Sequence, residues 1–172
     1  SLAAGVRRFV HVSSIVVYGA DVGGEADERA PLRVERHNPY SWSKVMGEEI
    51  VRRYVRDRNA PVTVVRPGWV YGPRDAGSFG RFASMVEKGR MILMGSGSNR
   101  VPLVYVTDVA QGILLAGEAD AAGGQAYTLV NDEPVTQNDY FRAIARELGA
   151  PPPRFRLPYR MALGIAWCAE TA

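Results

Sequence analysis

The sequence is poor in lysine, cysteine and histidine. Lys44 and Lys88 are its only lysines, although basic residues number 21. One cysteine, Cys168, cannot form an internal disulfide, so a reducing cytoplasm is the natural setting. The two histidines, His11 and His37, are not at metal-ligand spacing with each other or with Cys168, and no metal site is expected. No apolar run reaches the roughly 18 residues of a membrane span, and no signal peptide is visible. A membrane partner is therefore not expected. The charge excess is small: +3, from 21 basic and 18 acidic residues spread along the chain. Nothing in it calls for a nucleic-acid partner.

What remains is an ordinary globular composition, 47% apolar and 23% charged over 172 residues. That is enough chain for a sizeable core. "RRFVHVSS" (7–14) reads as a buried strand ending in small polar residues. "GADVGGEADERAPL" (19–32) is a loop. Asn38 is placed to cap a helix, with Pro39 at its first position. Met46, Ile50 and Tyr54, beside Val51 and Val55, form an apolar stripe along that helix. Arg52, Arg53, Arg56 and Arg58 crowd its other side. "PVTVVRPG" (61–68) is a second buried strand, closed by Pro-Gly.

Further on, 79–89 reads as a helix, 90–95 as a strand, 95–99 as a turn and 101–106 as extended. Thr107 is expected to cap a helix running to about Ala119, with Asp108 suiting its dipole. "QAYTLVN" (125–131) is a third core strand, and 136–149 a helix with a Thr cap and a Gly stop. An extended link (150–158) leads to a last helix (159–170), on which Trp167 and Cys168 are expected in the core. Strands alternating with helices predict an α/β fold with a mostly parallel sheet.

Chemistry enters at "HNPYSWSK" (37–44). Tyr40 and Lys44 are four apart, on one face near a helix start. A phenol with a reference pKa of about 10 is a poor base at neutral pH. A nearby ammonium favours the phenolate and makes it a usable proton-transfer group. Eight tyrosines and two lysines would give roughly 0.1 such pairs by chance, so the pair needs company to carry weight. It has company. Ser13 and Ser14 end the first strand, where open parallel sheets hold their ligands. Pro67-Gly68 breaks the second strand at its corresponding end. Taken alone, the two serines read more simply as turn residues.

Together, "SSIVVYG", "YSWSK", "RPGWVYGP" and "YVTDVA" resemble the extended short-chain dehydrogenase/reductase family, also called the NAD-dependent epimerase/dehydratase family. The resemblance covers most of the chain and implies a Rossmann-type doubly wound parallel sheet. It implies Tyr40 as catalytic acid/base, Lys44 as its activator and ribose contact, and Ser14 as the group orienting the reacting oxygen. Ser13, Pro67 and Val70 would join Tyr40 and Lys44 at the cofactor, NAD or NADP. Residues 1–75 would be the later part of the cofactor domain. Residues 76–172 would be mainly substrate-binding, with strand 125–131 returning to the sheet. His11 reads as packed rather than catalytic.

The family's Gly-rich phosphate loop has no counterpart. "GADVGG" (19–24) lies in a loop after Ser14 and is not a dinucleotide fingerprint. The resemblance thus implies the second half of a protein about twice this length, starting just before the fifth strand. The first strand would then keep an open apolar edge, which predicts association of copies or pairing with the rest of a larger protein.

Three departures bear on the small-molecule substrate. Nucleotide-sugar members run Arg-Tyr-Phe-Asn where this chain has Arg66-Pro67-Gly68-Trp69. They often carry an arginine at the position of Val101, where here Arg100 is shifted by one. Sugar dehydratases place Asp-Glu where this chain has Ile15-Val16. An indole at 69 suits a ring better than a phosphate. The expected activity is hydride transfer at a secondary alcohol or ketone of an apolar substrate, hydroxysteroid- or dihydroflavonol-like, with Trp69, Arg74 and Arg100 on the substrate side. The alternatives are a nucleotide-sugar epimerase, whose phosphate Arg74 or Arg100 could hold, and a non-catalytic relative.

Overall fold

The computed structural model describes residues 5–19, 26–75, 77–158 and 160–161. In chain order the first elements are β1 (Phe9–Val12), a 3-10 turn (Ile15–Tyr18), α1 (Pro39–Arg58), β2 (Val62–Pro67) and β3 (Trp69–Tyr71). There follow α2 (Ser78–Glu87), β4 (Ile92–Met94), β5 (Arg100–Val101), β6 (Leu103–Tyr105) and α3 (Val106–Glu118). β7 (Ala126–Leu129), β8 (Val135–Thr136), α4 (Gln137–Glu147) and β9 (Phe155–Leu157) follow. The expected last helix lies almost wholly outside the described residues.

Two compact units result. One comprises Ser1–Val70 and Val104–Val130, the other Tyr71–Leu103 and Asn131–Ala172. The first is built on a parallel sheet in the order β1-β2-β7. β2 is its middle strand, and all six of its residues are buried, as its β-branched run requires. Phe9 faces Val62 in the register, and Val64 faces Ala126. α3 packs on this sheet closely. A Cβ at Gly112 would lie 2.9 Å from the Leu129 side chain, so a glycine permits the approach.

β1 corrects one reading. It is a strand, but Phe9 and Val12 are 44% and 42% exposed rather than buried. The reason is topological: among the described residues β1 pairs only with β2. α1 corrects another. Its buried face is Ser41, Val45 and Glu48, whereas Ile50 and Tyr54 are about half exposed. The apolar stripe follows the helix period, but the sheet takes the face bearing Glu48. A third correction concerns α3, which begins at Val106 with Tyr105 at the cap, so Thr107 lies inside the helix.

The cap of α1 is as expected. Asn38 Oδ1 accepts from the Tyr40 and Ser41 N–H groups at 3.1 and 3.2 Å. Asn38→Ala should lower stability by about 1 kcal/mol in denaturant unfolding. An unchanged midpoint would show that water replaces the cap at no cost.

The second unit has its own core, in which Val86, Leu93, Val101 and Leu103 meet Tyr140, Phe141 and Ile144 of α4. The Phe82 and Phe141 rings meet edge to face at 5.5 Å. β4 pairs in parallel with β9, and β5 antiparallel with β8. Thr136 Oγ1 caps α4 by accepting from the Asp139 N–H at 3.1 Å. Burial first, then the nearby Asp75 and Tyr71, pushes the Tyr140 phenol up to about 12. Tyr140 is a buried residue of this core.

Candidate active site

The carboxyl end of β1 carries Ser13 and Ser14 and meets the first turns of α1. Ser13 continues the sheet, its N–H donating to the Val65 carbonyl at 2.8 Å. Its side chain is buried, and its Oγ has no hydrogen-bond partner among the described residues. Ser14 has extended backbone and caps the 3-10 turn, its Oγ accepting from the Val16 N–H at 3.3 Å. The Ser14 hydroxyl proton is not used in that bond and can be donated elsewhere.

α1 brings the other two. Lys44 Nζ donates to the Val12 carbonyl at 3.1 Å, two residues before Ser14. The same ammonium stands 5.7 Å from the centre of the Tyr40 ring. Ser41 Oγ donates to the Val16 carbonyl at 3.4 Å, tying the first turn of α1 to the 3-10 turn. Tyr40 is 54% exposed at this junction. Ser14, Tyr40 and Lys44 thus come from two elements joined at one strand end. At the neighbouring end of β2, the Gly68 N–H donates to the Leu129 carbonyl at 2.9 Å. Beyond it Trp69 and Val70 are exposed. Arg74 and Arg100 belong to the second unit. Arg74 has φ 72°, a strained left-handed backbone, and Arg100 pairs with Thr136 in the β5–β8 ladder.

Beneath this site lies a charged network that the sequence reading overlooked. Arg66 of β2 and Glu48 of α1 are both wholly buried. They form a two-pronged pair, Nε to Oε1 at 2.9 Å and Nη2 to Oε2 at 2.6 Å. Arg66 Nη1 also donates to the Tyr18 hydroxyl at 2.8 Å and to the Glu28 carbonyl at 3.3 Å. The Tyr18 hydroxyl shares a 2.8 Å hydrogen bond with Thr128 Oγ1 of β7. The Thr128 N–H donates to Glu28 Oε1 at 2.6 Å. Burial works against the Arg66 charge, but the bonds to Glu48 and Tyr18 outweigh it and strengthen its hold on its proton. Burial likewise works to raise the Glu28 carboxyl. The Thr128 bonds and the Arg66 charge prevail and hold it below its usual range. A signal existed in the sequence: an arginine inside the apolar run of β2, and a glutamate one turn after Lys44.

His11 of β1 sits beside this network. A Cβ on Gly47 would lie 3.3 Å from its Nε2, so α1 closes on the strand at a glycine. That buried nitrogen has no hydrogen-bond partner among the described residues. Burial lowers the His11 pKa from 6.5; Glu48 opposes the shift and Lys44 adds to it. The unfolded chain therefore takes up a proton more readily than the folded one. His11 supports stability above about pH 6.5, and that support is lost as pH falls through the lowered value. Unfolding midpoints followed from about pH 7.5 to about pH 5 should slope less in His11→Asn than in the parent. Equal slopes would dismiss His11 as the source.

Comparison with known proteins finds clear relatives. Residues 1–130 match the model of the NAD dependent epimerase/dehydratase family. The chain is 31% identical over 176 residues to the mouse (Mus musculus) sterol-4-alpha-carboxylate 3-dehydrogenase, decarboxylating, covering 95% of this chain and 47% of that protein. It is 31% identical over 156 residues to the 2-alkyl-3-oxoalkanoate reductase of Stenotrophomonas maltophilia, covering 87% and 47%. Among solved structures, the UDP-glucose 4-epimerase of Thermus thermophilus, in complex with NAD, superposes with a TM-score of 0.71 at 28% identity. That match covers 91% of this chain and 53% of the epimerase. The chain thus spans about half the length of these curated relatives. With the parallel sheet, the serines at its strand end and the Tyr40–Lys44 pair in place, the chain belongs to the NAD-dependent epimerase/dehydratase family.

Proposed function

We propose that the full-length protein is an NAD(P)-dependent oxidoreductase acting at a secondary alcohol or ketone. The observation that carries this reading is the Lys44 ammonium, held at 3.1 Å by the strand-end carbonyl and 5.7 Å from the Tyr40 ring. Beside that cation, the Tyr40 hydroxyl is the group that takes the substrate's hydroxyl proton during oxidation and returns it during reduction. Ser14, with its proton free to donate, steadies the reacting oxygen. A bound dinucleotide supplies the hydride acceptor or donor. The chain has groups suited to its nicotinamide end: the unpartnered Ser13 hydroxyl, Lys44, and the exposed Val70 after Pro67. The first unit is assigned mainly to the cofactor and the second mainly to the substrate.

For the substrate we favour an apolar alcohol or ketone. The indole of Trp69 is about half exposed just past the β2 end, a flat apolar surface rather than a phosphate site. The mouse sterol dehydrogenase and the oxoalkanoate reductase are similar to this chain at 31% identity. The likeness to the Thermus UDP-glucose epimerase supports a second reading, nucleotide-sugar epimerisation. Full-length protein with NAD or NADP should turn over members of a panel of hydroxysteroids and apolar ketones. Turnover of UDP- or dTDP-sugars alone would establish the second reading.

A further inference from the structure

We propose that Arg66 is a positioning residue for the acid/base pair: by occupying both oxygens of Glu48, it keeps the Lys44 ammonium directed at the strand end and the Tyr40 ring. The proposal rests on the reading of Tyr40 and Lys44 given above.

Lys44 and Glu48 are one helical turn apart on α1, the spacing at which lysine and glutamate pair across a helix face. In this structure they do not pair. Both Glu48 oxygens are taken by Arg66, at 2.9 and 2.6 Å, in a two-pronged fit that a planar guanidinium provides. Lys44 instead donates to the Val12 carbonyl. Arg66 in turn is fixed by the Tyr18 hydroxyl and the Glu28 carbonyl. Thus β2, the 3-10 turn and the segment around Glu28 all hold the guanidinium on Glu48.

The other charged groups here do not take its place. Arg52 of α1 reaches only Glu48 Oε2, at 3.9 Å, and its side chain is half exposed. His11 of β1 feels both Glu48 and Lys44, but the proton uptake that would let it neutralise Glu48 is opposed by burial. Remove the guanidinium, and a buried carboxylate is left one turn from the Lys44 ammonium. Lys44 then swings toward Glu48 and away from Tyr40.

The test uses full-length protein and two readouts: the acid limb of the kcat/KM pH profile, and the ring titration of Tyr40 by NMR of isotope-labelled tyrosine, assigned with Tyr40→Phe. Arg66→Lys keeps a cation but cannot engage both oxygens. It should move both readouts upward. Arg66→Met should move them further. Arg66→Met/Glu48→Leu, which removes the competing carboxylate, should bring both back. Should Arg66→Met fail to fold, Arg66→Lys and the double variant carry the comparison. A folded Arg66→Lys with an unmoved ring titration would overturn the proposal. So would a double variant that stays shifted. The two readings fail separately: retained turnover in Tyr40→Phe removes the acid/base assignment, while the ring titration still decides what Arg66 does.

Discussion

Tyr40→Phe in the full-length protein is expected to lower turnover by about two to four decades while leaving the fold intact. The substitution removes one oxygen from a side chain that is half exposed, so little packing changes. What disappears is the group that exchanges a proton with the substrate hydroxyl. Lys44→Ala should weaken both turnover and cofactor binding, because the ammonium that faces the Tyr40 ring is also held at the strand end by the Val12 carbonyl. Steady-state hydride transfer, followed by reduced nicotinamide, checks both. Near-normal turnover in Tyr40→Phe would refute the mechanism. A large loss accompanied by an equal loss of folded protein would point to structure instead.

Arg66→Met should destabilise the fold by about 3–5 kcal/mol, because it leaves the buried Glu48 carboxylate without its main counter-charge. Its hydrogen bonds also anchor Tyr18 and the Glu28 carbonyl, so several partners are orphaned at once. Replacing both members, Arg66→Met with Glu48→Leu, should recover most of the loss, since two apolar side chains need no desolvation of charge. Denaturant midpoints at neutral pH decide the matter. A mild effect of Arg66→Met would mean that water or Arg52 reaches Glu48 easily, against its complete burial in the fold.

Short-range patterns in the sequence set the local elements and the candidate chemistry. The Asn38 cap, the strand nature of Val62–Pro67 and the helix stop at Gly149 each follow from short-range stereochemistry: a side-chain acceptor, β-branched residues, and a residue at φ 61°. The Tyr40–Lys44 pair was legible for the same reason, since a four-residue spacing on a helix fixes a shared face. Tertiary structure decided what those faces meet. The apolar stripe of α1 pointed to Ile50 and Tyr54 as core, yet the buried face is Val45, packed with Val17 and Tyr18, and Glu48, paired with Arg66. Burying a glutamate makes sense only once Arg66 arrives from a strand 18 residues away in sequence. Likewise the exposure of β1 depends on which strands lie beside it, and no periodicity within residues 9–12 records that. Helix period and turn chemistry are properties of neighbouring residues. The pairing of a buried charge and the covering of a strand edge are properties of distant ones, and only the folded chain brings those together.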